Sequence, residues 1–158
     1  MVTECDKSEV LSVVAHELGH WKHRHIMKGF LLEVVGVLAG LWLLWALVNS
    51  VGARAFFGLP GPSSIVLIVL LPFVTSLAGT LTSPMLSAIS RYFEREADMT
   101  ALELTENPEA FISVEKKLVR KAKADLLKPA LLQTFYGSHP LPEERIRMAE
   151  RFATAGQE

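Results

Sequence analysis

His16-Glu17-Leu18-Gly19-His20 places two imidazoles four residues apart, with a carboxylate directly after the first one. On an α-helix, residues i and i+4 lie on the same face, so His16 and His20 can reach one metal ion. Glu17 can then act on a water molecule at that metal, which is how zinc enzymes with this pattern hydrolyse peptide bonds. The pattern can also arise by chance, so the surrounding sequence has to support this chemistry.

A helix is expected around these residues. Asp6 and Glu9 have the spacing of a capping box, and the helix that they begin should run to about His25. Gly19 costs about 1 kcal/mol relative to alanine inside a helix, and we interpret it as clearing space beside the metal. The apolar face of this helix is expected to consist of Val10, Leu11, Val13, Val14, Leu18 and Trp21.

A catalytic zinc ion requires a third protein ligand and keeps one position open. The elongated three-histidine pattern would need glycine at position 23 and histidine at position 26, where the chain has His23 and Ile26. Further along, Glu94 and Asp98 share one helical face. Glu94 could bind the metal while Asp98 accepts the outer N–H of a ligand histidine. From this segment alone, two solvated carboxylates on a surface helix are an equally good interpretation.

The sequence between these motifs is strongly apolar. Residues 34–53 and 55–90 contain no charged side chain. Each stretch can supply the roughly 20 apolar residues that a membrane-spanning helix requires. Two helices buried in a soluble core are the alternative, but a chain of 158 residues has little protein with which to cover them. The sequence therefore favours insertion in a membrane.

We predict spans at about residues 30–51 and 64–89, joined by the turn-rich residues 58–62. Pro72 and Pro84 are expected to kink the second span or to end it early. Such a hairpin returns the chain to the side it left, so both motifs should lie at one membrane face. Basic residues flank the two spans more than they occupy the connection, and the positive-inside rule then places that face in the cytosol. The flanking residues are Lys22, Arg24, Lys28, Arg91 and Arg95, and the connection contains Arg54.

Composition excludes some classes of protein. The net charge is −1, so the chain has no overall field that would attract nucleic acid. Cys5 is the one cysteine, which rules out a disulfide within the chain.

The sequence after Asp98 is typical of a soluble helical part. Asn107-Pro108-Glu109 combines an N-cap, a first-position proline and a first-turn acid, so a helix is predicted from there to about Leu127. Its expected buried positions are Phe111, Val114, Leu118 and Leu126. Its expected solvated face consists of Glu115, Lys116, Lys117, Arg120, Lys121 and Lys123.

Histidines outside the motif leave alternatives open. His139 lies in the loop before a last helix, predicted from Pro142 to about Phe152. Loops often carry catalytic side chains, although a lone loop histidine is more often an ordinary surface residue. His23 follows His20 by one turn, and either a second metal site or a polar role at the membrane interface would account for it.

Three blocks of the sequence, in this order and with the hairpin between the first two, resemble the integral-membrane CAAX prenyl endopeptidases. The blocks are His16-Glu17-Leu18-Gly19-His20-Trp21-Lys22, Ser90-Arg91-Tyr92-Phe93-Glu94-Arg95-Glu96-Ala97-Asp98, and Ser138-His139-Pro140 with Arg145-Ile146. The resemblance covers residues from about 8 to 149. It implies an all-α integral membrane protein, in which zinc-binding helices are joined through a two-span hairpin and followed by a soluble helical part.

The resemblance also implies a set of site residues. One Zn²⁺ per chain would be bound by His16, His20 and Glu94, with Glu17 as general base and acid. Of the remaining residues, Asp98 would orient a ligand, His139 would bind substrate or steady the tetrahedral intermediate, and Tyr136 is the alternative donor to the developing oxyanion.

We therefore expect a zinc-dependent membrane endopeptidase acting on prenylated CAAX-type C-termini or on membrane-associated substrates. Its partners would be a peptide or protein substrate and the lipid bilayer. A general quality-control metalloprotease is the first alternative. A catalytically silent, zinc-stabilised membrane scaffold is the second, and the intact Glu17 argues against it, because a structural site has no need for a base.

The expected organisation is a zinc helix in residues 1–28, a transmembrane hairpin in 29–90 and a helical segment with the other motifs in 91–158, all forming one catalytic unit. The resembled family has further spans before the zinc helix, whereas 15 residues precede His16 here. We therefore expect this sequence to be the C-terminal catalytic portion of a longer protein.

Overall fold

The computed structural model describes residues 6–58, 64–122, 132 and 135–155. All regular secondary structure in this part of the chain is helical, which confirms the all-α prediction. The helices are α1 (Lys7–Lys22), α2 (His25–Asn49), α3 (Val51–Phe57), α4 (Ser64–Thr105), α5 (Pro108–Ala122) and α6 (Pro142–Ala155).

The chain divides into two compact units. The first unit comprises Met1–Ile26 and Pro84–Glu158, and the second comprises Met27–Ser83. All candidate site residues belong to the first unit.

The second unit is dominated by apolar helices. Leu44 and Val48 of α2 are buried, whereas most of its other large apolar side chains are exposed. Two helices of the described chain, His25–Asn49 and Ile68–Thr105, have the length and composition of membrane spans. They indicate an integral membrane protein, because an exposed apolar helix of this length is stable in lipid rather than in water.

The two prolines of the second predicted span do not interrupt it. α4 runs from Ser64 to Thr105 as one helix through Pro72 and Pro84, so the prediction that a proline ends the span early is wrong. Thr75 Oγ1 donates to the carbonyls of Leu71 and Pro72 at 2.8 and 3.1 Å. These are the usual hydrogen bonds of a helical threonine to the carbonyls three and four residues before it.

The connection between the spans differs from its prediction. α2 ends at Asn49, and the short helix α3 follows where no helix was predicted. Gly58 has a φ of 61°, typical of a glycine that ends a helix. The rest of the predicted turn, residues 59–62, lies outside the described residues.

In the first unit, α1 begins as predicted. Asp6 is the N-cap, and its backbone N–H donates to Glu9 Oε2 at 2.8 Å in a complete capping box. α1 ends at Lys22 rather than near His25 because Arg24 adopts a left-handed conformation with a φ of 55°. α2 then starts at His25.

The predicted apolar face of α1 is not the face that the helix buries. Leu11, Val14, Leu18 and Trp21 are exposed, and Trp21 is 80% accessible. The buried face consists of Glu9, Ser12, Ala15 and Gly19. α1 therefore packs through small and polar residues.

Gly19 explains this choice of face. A Cβ atom there would lie 2.8 Å from Ala97 Cα and 3.0 Å from the Ala97 carbonyl oxygen. Real Cβ atoms do not approach backbone so closely, so only glycine permits this contact between α1 and α4. Gly19 makes room for α4, not for a metal as we expected.

The remaining helices complete the core of the first unit. α5 packs on both α1 and α6. Asn107 caps α5 as predicted, accepting from the Ala110 N–H at 3.0 Å. The core cluster consists of Ala15, Ala101, Leu102, Phe111 and Ala149.

The predictions for the two last helices are mostly correct. Phe111 and Val114 are buried and Leu118 is partly buried, whereas Leu126 and the predicted end of that helix lie outside the described residues. α6 extends three residues beyond the predicted Phe152.

Candidate metal centre

Three predicted ligands come together between α1 and α4. His16 Nε2 and His20 Nε2 are 3.1 Å apart. Glu94 Oε2 lies 3.6 Å from His16 Nε2, and its Oε1 lies 3.6 Å from His20 Nε2. Within the described residues, these side chains form the group whose donor atoms converge closely enough to hold a metal ion.

The spacing suits tetrahedral zinc. Zinc–ligand bonds of about 2.0–2.1 Å at tetrahedral angles place neighbouring donor atoms about 3.3 Å apart. The observed separations of 3.1 and 3.6 Å fall on either side of that value. Two imidazoles and a carboxylate are also the donor set of zinc hydrolases that leave a fourth position open.

The ionisation of these groups favours cation binding. Burial lowers the pKa of His20 and the neighbouring His16 lowers it further, so His20 is neutral at pH 7 and has a free lone pair. Glu94 lies beyond the predicted span, and burial raises the pKa of its carboxyl. The hydrogen bond with His139 and the charges of nearby histidines outweigh that effect, so the net pKa is lowered and Glu94 is ionised.

Glu17 follows His16 on α1 and is exposed. Its charge raises the pKa of His20 slightly against the stronger effect of burial, so the carboxylate lies within electrostatic range of the site. An exposed carboxylate beside the ligands is accessible to water and to a substrate.

Asp98 holds the outer nitrogen of His16. Asp98 Oδ1 lies 2.8 Å from His16 Nδ1, and the Asp98 side chain is completely buried. Because a carboxylate accepts, His16 must donate from Nδ1, which leaves Nε2 free to bind a metal. The structure thus places Asp98 where the sequence analysis expected a ligand-orienting residue.

Arg145 of α6 fixes Asp98 in turn. Its Nε donates to Asp98 Oδ2 at 2.7 Å and its Nη2 donates to Asp98 Oδ1. Its Nη1 lies 2.8 Å from Glu115 Oε1. Burial raises the pKa of Asp98, but the hydrogen bonds from His16 and Arg145 lower it more, so the buried carboxylate is charged.

Glu115 corrects one prediction. We expected it on the solvated face of α5, but it is 5% exposed and paired with Arg145. No sequence pattern indicates this pairing, because Glu115 and Arg145 are far apart along the chain and lie on different helices.

The loop after residue 135 brings His139 to the site. His139 Nδ1 lies 3.0 Å from Glu94 Oε2, and this hydrogen bond raises the pKa of His139. Two α4 side chains hold the loop: Ser87 Oγ donates to the Phe135 carbonyl at 2.9 Å, and Arg91 Nη1 donates to the Gly137 carbonyl at 2.7 Å. Neither Ser87 nor this role of Arg91 was predicted.

Tyr136 is placed differently from His139. Its side chain is 68% exposed, and its ring lies 6.2 Å from that of Phe135. The structure therefore places His139, rather than Tyr136, in contact with a predicted ligand.

A glutamate and two histidines adjoin the three ligands. His23 Nδ1 lies 3.2 Å from Glu96 Oε1, and His23 Nε2 lies 2.9 Å from Thr100 Oγ1. His25 Nε2 lies 2.9 Å from Glu96 Oε2. Each of these contacts joins a histidine nitrogen to a single oxygen, and together they favour a polar structural role for His23 over a second metal site.

A helical chain with two candidate membrane spans, and with two histidines of one helix facing a glutamate of another, has the features of the membrane metallopeptidase class. The chain belongs to peptidase family M48, whose sequence model matches residues 1–153.

Individual relatives agree with this assignment. The metalloprotease YhfN of Bacillus subtilis is 32% identical over 152 residues, covering 95% of this chain and 36% of the relative. The CAAX prenyl protease 1 homolog of Mus musculus is 30% identical over 148 residues, covering 90% of this chain and 30% of the relative. Protease HtpX homolog 1 of Streptomyces coelicolor is 25% identical over 173 residues, covering 98% of this chain and 56% of the relative.

These matches confirm the resemblance to CAAX prenyl proteases. The chain spans about a third of the length of the first two of these relatives.

Proposed function

We propose that this chain is the catalytic part of a zinc-dependent membrane endopeptidase, in which His16, His20 and Glu94 bind Zn²⁺. The observation that carries the proposal is the convergence of these three donor sets at 3.1–3.6 Å, next to the exposed Glu17. Membership of a peptidase family supports it. When bound, zinc would supply a Lewis acid that activates water and polarises a carbonyl group.

Glu17 and His139 supply the proton chemistry of the proposed reaction. Glu17 takes a proton from the attacking water and later delivers it to the leaving amine. His139, whose Nδ1 lies 3.0 Å from Glu94 Oε2, would donate to the oxygen on which negative charge develops. Asp98 keeps His16 in the tautomer that leaves Nε2 unprotonated.

The proposed substrates are peptide bonds near prenylated CAAX-type C-termini. Relatives named CAAX prenyl proteases in mouse and human, each 30% identical to this chain, support this choice. General proteolysis of membrane proteins is the second candidate, since relatives named HtpX proteases also match nearly the whole chain.

We also propose how the protein sits in the membrane. Residues 29–90 would form a transmembrane hairpin, so that the segments 1–28 and 91–158 make one catalytic unit on the cytosolic face. The two candidate spans and the distribution of basic residues support this topology.

The test is cleavage of two matched peptides, with and without a farnesyl group, by the chain and its Glu17→Gln variant in lipid. The proposal expects cleavage by the parent alone and faster cleavage of the farnesylated peptide. Equal rates for both peptides would favour general proteolysis. Bound zinc without cleavage of either peptide would favour the scaffold alternative.

A further inference from the structure

His20 uses its two ring nitrogens in different directions. Its Nε2 faces His16 and Glu94, the other members of the proposed zinc site. Its Nδ1 lies 2.9 Å from His25 Nδ1. The two Nδ1 atoms do not face the proposed metal position, so one of them must donate and the other must accept, because two unprotonated or two protonated nitrogens with no cation between them would repel.

His25 is itself tightly held. It is 4% exposed, and its ring stacks on Phe93 with the centroids 4.4 Å apart and the planes 11° from parallel. Its Nε2 lies 2.9 Å from Glu96 Oε2. Both nitrogens of the His25 ring are therefore engaged, and its plane is fixed.

Arg24, which lies between α1 and α2 in a left-handed conformation, makes the contact between His20 and His25 possible. On a continuous helix, residue i+5 lies about 140° around the axis from residue i, which would place His25 far from the His20 ring. Arg24, with a φ of 55°, ends α1 and lets the chain turn before α2 begins at His25. The turn brings the two rings to 5.0 Å between centroids.

The direction of each hydrogen bond follows from the Glu96 carboxylate. A carboxylate only accepts, so His25 Nε2 carries a hydrogen and donates. In the His25 tautomer with its hydrogen on Nε2, Nδ1 is the acceptor, and His20 Nδ1 donates to it. His20 Nε2 is left with its lone pair facing the proposed metal position.

Each proposed histidine ligand thus hydrogen-bonds through its outer ring nitrogen to a side chain that a further residue holds in place. His16 donates to Asp98, which Arg145 holds. His20 donates to His25, which Glu96 holds. Outer partners of this kind fix the tautomer and ring orientation of metal-binding histidines.

We infer that His25 is a positioning residue for His20 and acts with Glu96 to present His20 Nε2 to the metal. The inference rests on the proposed zinc site and adds residues that the sequence analysis had not assigned to it.

The first test compares His25→Phe with His25→Gln. Phenylalanine keeps the ring that stacks on Phe93 but removes both hydrogen bonds, whereas glutamine offers one acceptor and one donor. We expect His25→Phe to weaken zinc binding by about 10–100-fold, measured by competition with a chelator. We also expect it to change the visible spectrum of the Co²⁺-loaded protein, and we expect His25→Gln to restore much of both.

Glu96→Ala provides a second, independent variant. It leaves His25 and its stacking in place, and we expect a weaker effect in the same direction on zinc affinity and on the Co²⁺ spectrum. Glu103→Ala, which removes an exposed glutamate of the same helix, is the matched control and should equal the parent. If far-ultraviolet circular dichroism shows that His25→Phe does not fold, the zinc affinity and the Co²⁺ spectrum of Glu96→Ala test the inference instead.

The outcomes separate this inference from the proposed function. If the parent binds zinc, Glu94→Ala loses it, and the folded His25→Phe and Glu96→Ala variants match the parent in affinity and spectrum, the inference is overturned and the zinc site stands. If the parent and Glu94→Ala bind zinc equally, the proposed site itself is wrong and the inference falls with it.

Discussion

Gly19 and Ala97 bring the two halves of the candidate metal centre together. A Cβ atom on Gly19 would meet Ala97 Cα at 2.8 Å, so the backbones of α1 and α4 are in direct contact. This contact lies between His16 and His20 on one helix and Glu94 and Asp98 on the other. The geometry of the site therefore depends on a residue with no side chain.

Gly19→Ala should separate the helices. We expect the clash to cost about 1–3 kcal/mol, as in other overpacked cores, partly offset by the roughly 1 kcal/mol that alanine gains in helix propensity. Zinc affinity should fall as well, because Glu94 would move away from the histidines. Thermal unfolding in detergent and zinc titration would measure both effects.

Gly29→Ala is the control, because nothing lies within 4 Å of the Cβ position at Gly29. It should leave zinc affinity unchanged. A Gly19→Ala variant with parental stability and affinity would show that the close contact does not determine the site.

Replacing the proposed base should separate catalysis from metal binding. We expect Glu17→Gln to retain zinc and to lose cleavage by at least about 100-fold, because Glu17 is exposed and directly follows the proposed ligand His16. Glu94→Ala should lose zinc. Metal content and peptide cleavage measured on both variants check the assignment, and loss of zinc from Glu17→Gln would make Glu17 structural instead.

The buried charge network should be costly to break. Asp98→Ala would leave Arg145 buried with Glu115 as its remaining carboxylate partner. Removing one partner of a buried ion pair costs about 3–5 kcal/mol, and His16 would lose its acceptor. Asp98→Asn retains an acceptor for His16, so it should preserve more zinc affinity than Asp98→Ala does. Equal zinc affinity of the two variants would contradict an orienting role for Asp98.

Stability should fall in acid through Glu9. Hydrogen bonds from Lys117 and Ser113 and from the Asp6 backbone lower the pKa of Glu9 from 4.5 to about 2. Because the unfolded chain binds the proton more tightly, the stabilisation is complete above pH 4.5 and is lost as the pH falls towards 2. Unfolding followed by circular dichroism across this range should show a smaller pH dependence for Glu9→Gln. An unchanged pH dependence would mean that Glu9 is not a source of it.

The features that could be predicted from the sequence are those that depend on residues close together in the chain. The capping box of Asp6 and Glu9 and the i, i+4 spacing of His16 and His20 depend only on helix geometry. The span lengths follow equally directly from bilayer thickness. The structure agrees with the capping box and with the histidine spacing.

The buried face of α1 could not be predicted in this way. Counting large apolar residues assumes that they face the core, whereas the close approach at Gly19 buries the small residues instead. The partners of Arg145 and of His25 were missed for a different reason. Arg145 on α6 contacts Asp98 on α4 and Glu115 on α5. The contact of His25 with His20 depends on the backbone angle at Arg24. No local pattern in the sequence encodes either contact.

The continuity of α4 determines how far Glu94 lies from the proposed end of the second span. Glu94 follows residue 89, the proposed end of the second span, by five residues, or about 7.5 Å of helical rise. That distance is comparable to one headgroup layer of a bilayer, about 5–8 Å. If the span ends at residue 89 as proposed, the unbroken helix would place the proposed metal site at the lipid surface. Substrates anchored in the membrane would present their nearest peptide bonds at that depth, whereas soluble chains would first have to approach the headgroups.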